Sequence, residues 1–169
     1  MKSLDATPHA GAQLCPEGFY DGAHDIIMTG IRVVLDTNVV FAALYSDEGA
    51  SYQLLSFIDQ GKITPCVSVP LVLEYEQTLI EHRADLKQTE AGIHDVLDYI
   101  CSAAIRQNIY FLWRPFLRDP GDDMVLEAAV ASGAEFVVTY NKRDFVGAEA
   151  FGVKAVSPSE LIRKIGGQK

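Results

Sequence analysis

The sequence predicts an α/β fold, a parallel β-sheet flanked by helices on both faces. Two observations carry this. The runs Ile31–Leu35, Thr64–Val69 and Glu135–Thr139 are apolar with little alternation, which reads as strands buried on both faces. Stretches with apolar residues at helical spacing separate them, and strands alternating with helices call for a parallel sheet with right-handed crossovers.

Each element has a local cause. Ile31–Leu35 is the first strand, and Asn38–Leu44 and Ala50–Gln60 read as helices divided by Ser46-Asp47-Glu48-Gly49. Thr64–Val69 is the second strand. Pro70 then opens a helix to about Arg83, since proline suits a first helical turn. Glu90–Arg106 is predicted as one helix because Ile93, Val96, Leu97, Ile100 and Ala104 recur at three and four. A short strand is expected near Ile109–Leu112, followed by a helix over Asp122–Ser132, a strand over Glu135–Thr139 and a last strand over Val153–Val156. Ser157-Pro158-Ser159-Glu160 starts a terminal helix running to Lys164.

Residues 1–30 mix Gly, Ala, Pro, Asp and His without period and are expected to be a flexible extension, with the domain proper over 31–169. Met28 stands where a start for the domain alone would fall; the alternative is an ordered arm used in self-association. The extension sets one cation, Lys2, against Asp5, Glu17, Asp21 and Asp25, so most of the net charge of −9 belongs to the domain.

That charge argues against a protein that holds nucleic acid mainly by a broad electrostatic field, and it suits a carboxylate site that needs cations. Cys15, Cys66 and Cys101 lie far apart with no CxxC or Cys/His ligand spacing, so neither a disulfide framework nor a zinc site is indicated. A reducing cytoplasm is the expected compartment. No apolar stretch approaches the roughly 20 residues of a membrane span.

Acids recur where such a sheet gathers ligands, at the carboxyl ends of its strands. Asp36 follows the first strand in Val33-Val34-Leu35-Asp36-Thr37-Asn38, though Asp36 or Thr37 also serves as a plain helix cap. Glu74 and Glu76 lie in the helix after the second strand, about 200° apart around its axis, so at most one faces a given site, and both flank the apolar stripe of Leu71, Val72, Tyr75 and Leu79. Arg118-Asp119-Pro120-Gly121-Asp122-Asp123 is the densest acid cluster. Asp119 before Pro120 reads as an N-cap; the helical wheel sets Asp122 beside Val125, Leu126 and Ala129, whereas Asp123 turns toward Glu127. A carboxylate directed at a packed face is costly unless paired or metal-bound, which singles out Asp122. After the fourth strand come Thr139, Asn141 and Asp144, which also suit a polar turn.

The order of these parts resembles the PIN-domain nucleases, and within them the toxin components of toxin–antitoxin systems. The resemblance spans about Ile31–Ile165 and rests on VVLDTNVV (33–40), SVPLVLEYEQTL from Ser68 to Leu79, RDPGDDMVLEAAVASGAEFVVTYNKRDF from Arg118 to Phe145, and VSPSELI from Val156 to Ile162. It implies a parallel sheet sandwiched by helices in three layers, and an acidic metal pocket that cuts phosphodiester bonds, most often in RNA. Carried over by position, it makes Asp36, Glu74 and Asp122 the catalytic acids and metal ligands, with Asp123 or Asp119 as substitutes. Many relatives carry aspartate where this chain has Asn141; others have the T-x-N-x-x-D-F form seen here, in which Asp144 takes the fourth place.

Such acids suit the chemistry, because hard oxygen ligands hold Mg²⁺ or Mn²⁺, which offsets phosphodiester charge and activates water. Thr37 and Asn38 are expected to fix backbone geometry or contact phosphate. Arg114, Arg118, Lys142 and Arg143 lie near the acidic edge as phosphate contacts, and Trp113 or Tyr140 as base-stacking surfaces. His82 and His94 read as surface side chains. The partners expected are an RNA substrate and a cognate antitoxin protein, with a homodimer admitted and no membrane. Two other classes compete: a PIN-fold binding module that does not cut, and a metal-dependent phosphatase-like or receiver-like α/β domain using Asp36. The DxDxT pattern that phosphatases of this kind carry is absent, since Thr37-Asn38 follows Asp36.

Overall fold

The computed structural model describes residues 30–110 and 114–167. The extension expected over 1–30 lies outside the described residues apart from Gly30, as do Cys15, Trp113 and part of the strand expected at 109–112. Five strands, β1 (Ile31–Leu35), β2 (Ile63–Val67), β3 (Ile105–Arg106), β4 (Phe136–Val138) and β5 (Lys154–Val156), form one parallel sheet in the order β3-β2-β1-β4-β5. The helices are α1 (Thr37–Tyr45), α2 (Ala50–Asp59), α3 (Val69–Glu81), α4 (Arg83–Leu86), α5 (Glu90–Ala103), α6 (Asp123–Ser132) and α7 (Pro158–Gly166), with 3₁₀ turns at Lys142–Phe145 and Ala148–Phe151. The predicted class holds. None of these helices is long and apolar enough to cross a membrane.

Val33 and Val34 of β1 and Val137 and Val138 of β4 are fully buried, as expected of strands covered on both faces. Helix α6 packs on β1, β2 and β4; α1 packs on α2 and α3, and α2 also meets α7. At the start of α7, Ser157 Oγ accepts from the Glu160 amide while Glu160 Oε2 accepts from the Ser157 amide, the reciprocal cap that the sequence signals there.

The third strand corrects the sequence reading. Strand pairing occurs at Ile105–Arg106, beside Cys66–Val67 of β2, and not at 109–112, where the described Ile109 and Tyr110 form no strand. Helix α5 ends at Ala103, and Ala104 is extended. The helical spacing of apolar residues runs on through Ala104, so the break is set by pairing with β2 and has no signal in the local sequence.

Gly30 is required where β1 begins. A Cβ there would lie 2.8 Å from the Gly61 carbonyl oxygen and 2.9 Å from the Ile63 carbonyl carbon, both main-chain atoms that cannot step aside cheaply. Gly30→Ala is therefore expected to lower stability by about 1–3 kcal/mol, the usual range for overpacking, read as a loss in urea midpoint at unchanged slope.

Candidate active site

From β1 the chain proceeds to β2 on one side, while β4 is inserted on the other, so the direction of winding reverses between β1 and β4. The carboxyl ends of two such strands splay their following loops apart and leave a crevice, the usual ligand position in open α/β sheets. Asp36 follows β1 and Thr139 follows β4, and they meet across this crevice: Thr139 Oγ1 donates to Asp36 Oδ2 at 2.6 Å, and the Asp36 amide donates to the Val138 carbonyl at 2.9 Å. Asn38 Nδ2 donates to the same Oδ2 at 2.6 Å.

Asp36 occupies the N-cap of α1 yet makes no side-chain cap bond, so capping does not explain it. It is only 5% exposed. Burial pushes its carboxyl up, and the bonds from Thr139, the Thr37 amide and Asn38 hold it back. Its hydrogen bonds do not fully offset the cost of burial, and a bound cation would.

Helix α3 separates the two glutamates. Glu74 turns inward and its Oε1 accepts from Thr37 Oγ1 at 2.8 Å, whereas Glu76 turns toward α5 and pairs with His94 at 3.0 Å. Glu74 Oε2 is shielded from water with no hydrogen-bond partner. Burial raises the Glu74 carboxyl, Thr37 opposes this, and Asp36 and Asp119 add to it. Tyr75, fully buried, donates its hydroxyl to the Leu35 carbonyl and so ties α3 to the end of β1.

Asp122 is half-buried at the N-cap of α6. Its carboxyl is pushed up to about 7 by burial first, then by Asp36, Asp119, Asp144 and Glu74. The acids that raise it lie after β1, in α3, in the loop before α6 and, for Asp144, in the 3₁₀ turn Lys142–Phe145 after β4. Asn141, exposed, caps that turn and donates its amide to Thr139 Oγ1 at 2.9 Å.

Asp123 has a different setting. It is 2% exposed, more deeply buried than Asp122, contrary to the helical wheel, and its carboxylate accepts the amides of Phe116 and Leu117 at 2.8–3.3 Å. The wheel misjudges it because the chain just upstream of α6, residues 114–118, folds back over that face. Asp119 is not the N-cap expected; its Oδ1 accepts the Gly121 amide at 2.9 Å.

Other side chains sort by their partners. Arg114 is tied by two bonds, at 3.0 and 3.3 Å, to buried Glu127. Arg118 and Arg143 are exposed, and Tyr140, half exposed, bonds Ser51 through its hydroxyl at 2.8 Å. His82 is exposed, 3.6 Å from Asp85, and His94 is partly exposed against Glu76. Among the described residues no three acid, His or Cys side chains stand at ligand spacing for one ion. The donor set nevertheless fits a hard cation: oxygen ligands only, an unpartnered Glu74 Oε2, and several carboxyls held above their ordinary range by burial and each other.

Comparison with known proteins adds a family. The family model described as PIN domain matches residues 32–143, which contain Asp36, Glu74 and Asp122. Among solved structures, a chain of VapBC2 from Rickettsia felis, bound to a DNA fragment from their promoter, superposes with a TM-score of 0.54 at 14% identity, covering 75% of this chain and 100% of that one. No curated protein matches.

Proposed function

The chain belongs to the PIN domain family, a family of nucleases, and from that premise we propose that it is a divalent-metal-dependent endoribonuclease acting as the toxin of a toxin–antitoxin pair in the cytoplasm. The observation that carries this reading is the buried Asp36 at the crevice between β1 and β4, with Glu74 joined to the next residue, Thr37, and its Oε2 shielded from water without a partner. Residues 31–169 are read as the nuclease domain and 1–30 as an extension outside it.

In this scheme Asp36, Glu74 and Asp122, with Asp144 as the fourth acid, would hold Mg²⁺ or Mn²⁺. Such an ion would offset phosphodiester charge and lower the pKa of a water bound to it. The protein's own groups do the positioning. Thr139 and Asn38 fix Oδ2 of Asp36, and Thr37 fixes Oε1 of Glu74 and leaves Oε2 as a bare acceptor. Tyr75 keeps α3 from sliding along β1, which preserves the spacing of the two carboxylates. Asp123 holds the loop before α6 by its backbone, and this sets where Asp122 stands.

An antitoxin partner is supported by an apolar surface on α3, the helix that carries Glu74. Val69 and Leu73 are 70% and 57% exposed, beside a groove of about 460 Å³. Apolar exposure of this kind suits a protein segment that packs there. The likeness to a chain from the two-component VapBC2 assembly is in keeping with this.

The fourth acid has its own test. Asp144→Asn is expected to weaken Mn²⁺ binding and cut the cleavage rate at least tenfold, and Asn141→Asp to be tolerated, as read by calorimetric titration beside initial rates. Unchanged affinity and rate in Asp144→Asn would remove it from the ligand set. The function as a whole is tested on a mixed RNA pool: Mn²⁺-dependent cleavage, abolished by EDTA and by Asp36→Asn, supports it, and an intact pool at saturating Mn²⁺ contradicts it.

A further inference from the structure

Four cations line one groove beside the edge of the sheet. In a chain of net charge −9, a groove of about 700 Å³ is lined by Lys142, Lys154, Arg163 and Lys164, against only Glu149 and Glu160. Both acids are engaged already. Glu160 accepts Lys142 Nζ at 2.8 Å and closes the cap of α7, and Glu149 accepts the Gly147 amide at 3.1 Å. The Lys154 side chain makes no hydrogen bond or ion pair among the described residues, the Arg163 side chain bonds only the Ser159 carbonyl at 3.4 Å, and Lys164 Nζ stands 5.8 Å over the Phe136 ring. The groove therefore presents three cations without an ion pair among the described residues, and its lining sets four cations against two carboxylates.

Its floor is the open edge of the sheet. Strand β5 is outermost, and the Lys154 amide and the Val156 carbonyl bond toward β4, to Glu135 and Thr139. Alternation along a strand then turns the Ala155 amide outward into the groove, a further donor among the cations. One end of the groove is Lys142, two residues from Asp144 and at the rim of the acidic crevice. The other is Lys154 and Lys164, beside Phe136 at the start of β4.

We infer that this groove is the track for the RNA backbone: single-stranded RNA leaving the crevice runs past Lys142 along the β5 edge, its phosphates held by Lys154, Arg163, Lys164 and the Ala155 amide. The inference rests on the nuclease reading and adds where the substrate lies outside the cutting site. Phosphates need spaced donors and cations without needing base contacts, and this is what the groove offers. A positive track beside an acidic centre also explains how an acidic protein holds a polyanion.

The test is binding in EDTA, which stops cleavage, using a short fluorescein-labelled RNA of mixed sequence and fluorescence anisotropy across a salt series. Lys154→Gln/Lys164→Gln is compared with wild type and with Arg83→Gln/Lys87→Asn, which removes the same charge from the exposed α4 region. The groove variant is expected to bind about tenfold more weakly, with a salt slope shallower by about 1.4, the value for two lost phosphate contacts on a single strand. The control variant should match wild type. Equal losses in both variants, no loss in either, or a wild-type chain that binds an acidic peptide in preference to RNA would overturn the inference. Cleavage with Mn²⁺ is scored in the same preparations. A chain that binds through the groove and cuts nothing loses the nuclease reading and keeps the track, and one that cuts with unaltered affinity in the groove variant does the reverse.

Discussion

Asp36→Asn is expected to lower Mn²⁺-dependent cleavage on the order of 10³-fold while raising the melting temperature of the metal-free protein. The fold survives because asparagine is nearly isosteric and its carbonyl oxygen still accepts from Thr139 and Asn38, the two bonds that anchor Oδ2. Stability rises because the carboxyl is buried, and burial, which disfavours its charged form, is the largest influence on it. Activity falls because a ligand charge worth several kcal/mol of transition-state stabilisation is lost, at about 1.4 kcal/mol per factor of ten. Differential scanning fluorimetry beside initial rates separates the two effects. A variant that melts earlier and cuts as fast as wild type would contradict both halves.

The second large effect is a pH dependence that a cation suppresses. The folded-state pKa of Asp122, about 7, lies above the ordinary carboxylate value. Stability from its protonated form is therefore complete below about pH 4 and is lost as pH rises through 7. Asp36 and Glu74 shift in the same direction. The metal-free protein should accordingly melt at progressively lower temperature from pH 5 to pH 8. One full proton corresponds to about 1.4 kcal/mol per pH unit, and the half-exposed position of Asp122 brings its share well below that. Asp122→Asn should flatten the decline and be the more stable protein at pH 8, and saturating Mg²⁺ should flatten it for wild type by binding the folded state. Glu160 acts oppositely. Its carboxyl is lowered to about 2 by Lys142 and the Ser157 amide, so the stability it adds is present above the ordinary carboxylate range and is lost as pH falls toward 2. A melting temperature that rises from pH 5 to pH 8 without metal would remove the acid cluster from the account.

How much of this was legible depended on whether the cause was local. The class of the fold and the start of α7 follow from patterns within a few residues, and so does the position of Asp36, which ends a strand wherever that strand lies in the sheet. The choice between Glu74 and Glu76 is not local: one faces β1 and the other α5, and a helical wheel contains neither neighbour. Asp123 is hidden from the wheel because the irregular chain at 114–118, just upstream of the helix, turns back over it, and a wheel holds no residue outside the helix. The break at Ala104 is imposed by β2 against a helical pattern that continues. The cationic groove leaves no trace in the sequence, because Lys142, Lys154, Arg163 and Lys164 carry no shared period and are assembled only by the β5 edge and α7.

Whether the carboxylates at the β1–β4 crevice share a divalent cation is decided by a crystal of the protein grown with Mn²⁺ and measured at the manganese anomalous edge. An anomalous peak is expected at oxygens of Asp36, Glu74 and Asp122, within about 2.3 Å of each direct ligand, with Asp144 in contact directly or through water. A peak that touches none of these carboxylates, or no peak at saturating Mn²⁺, would contradict a shared cation.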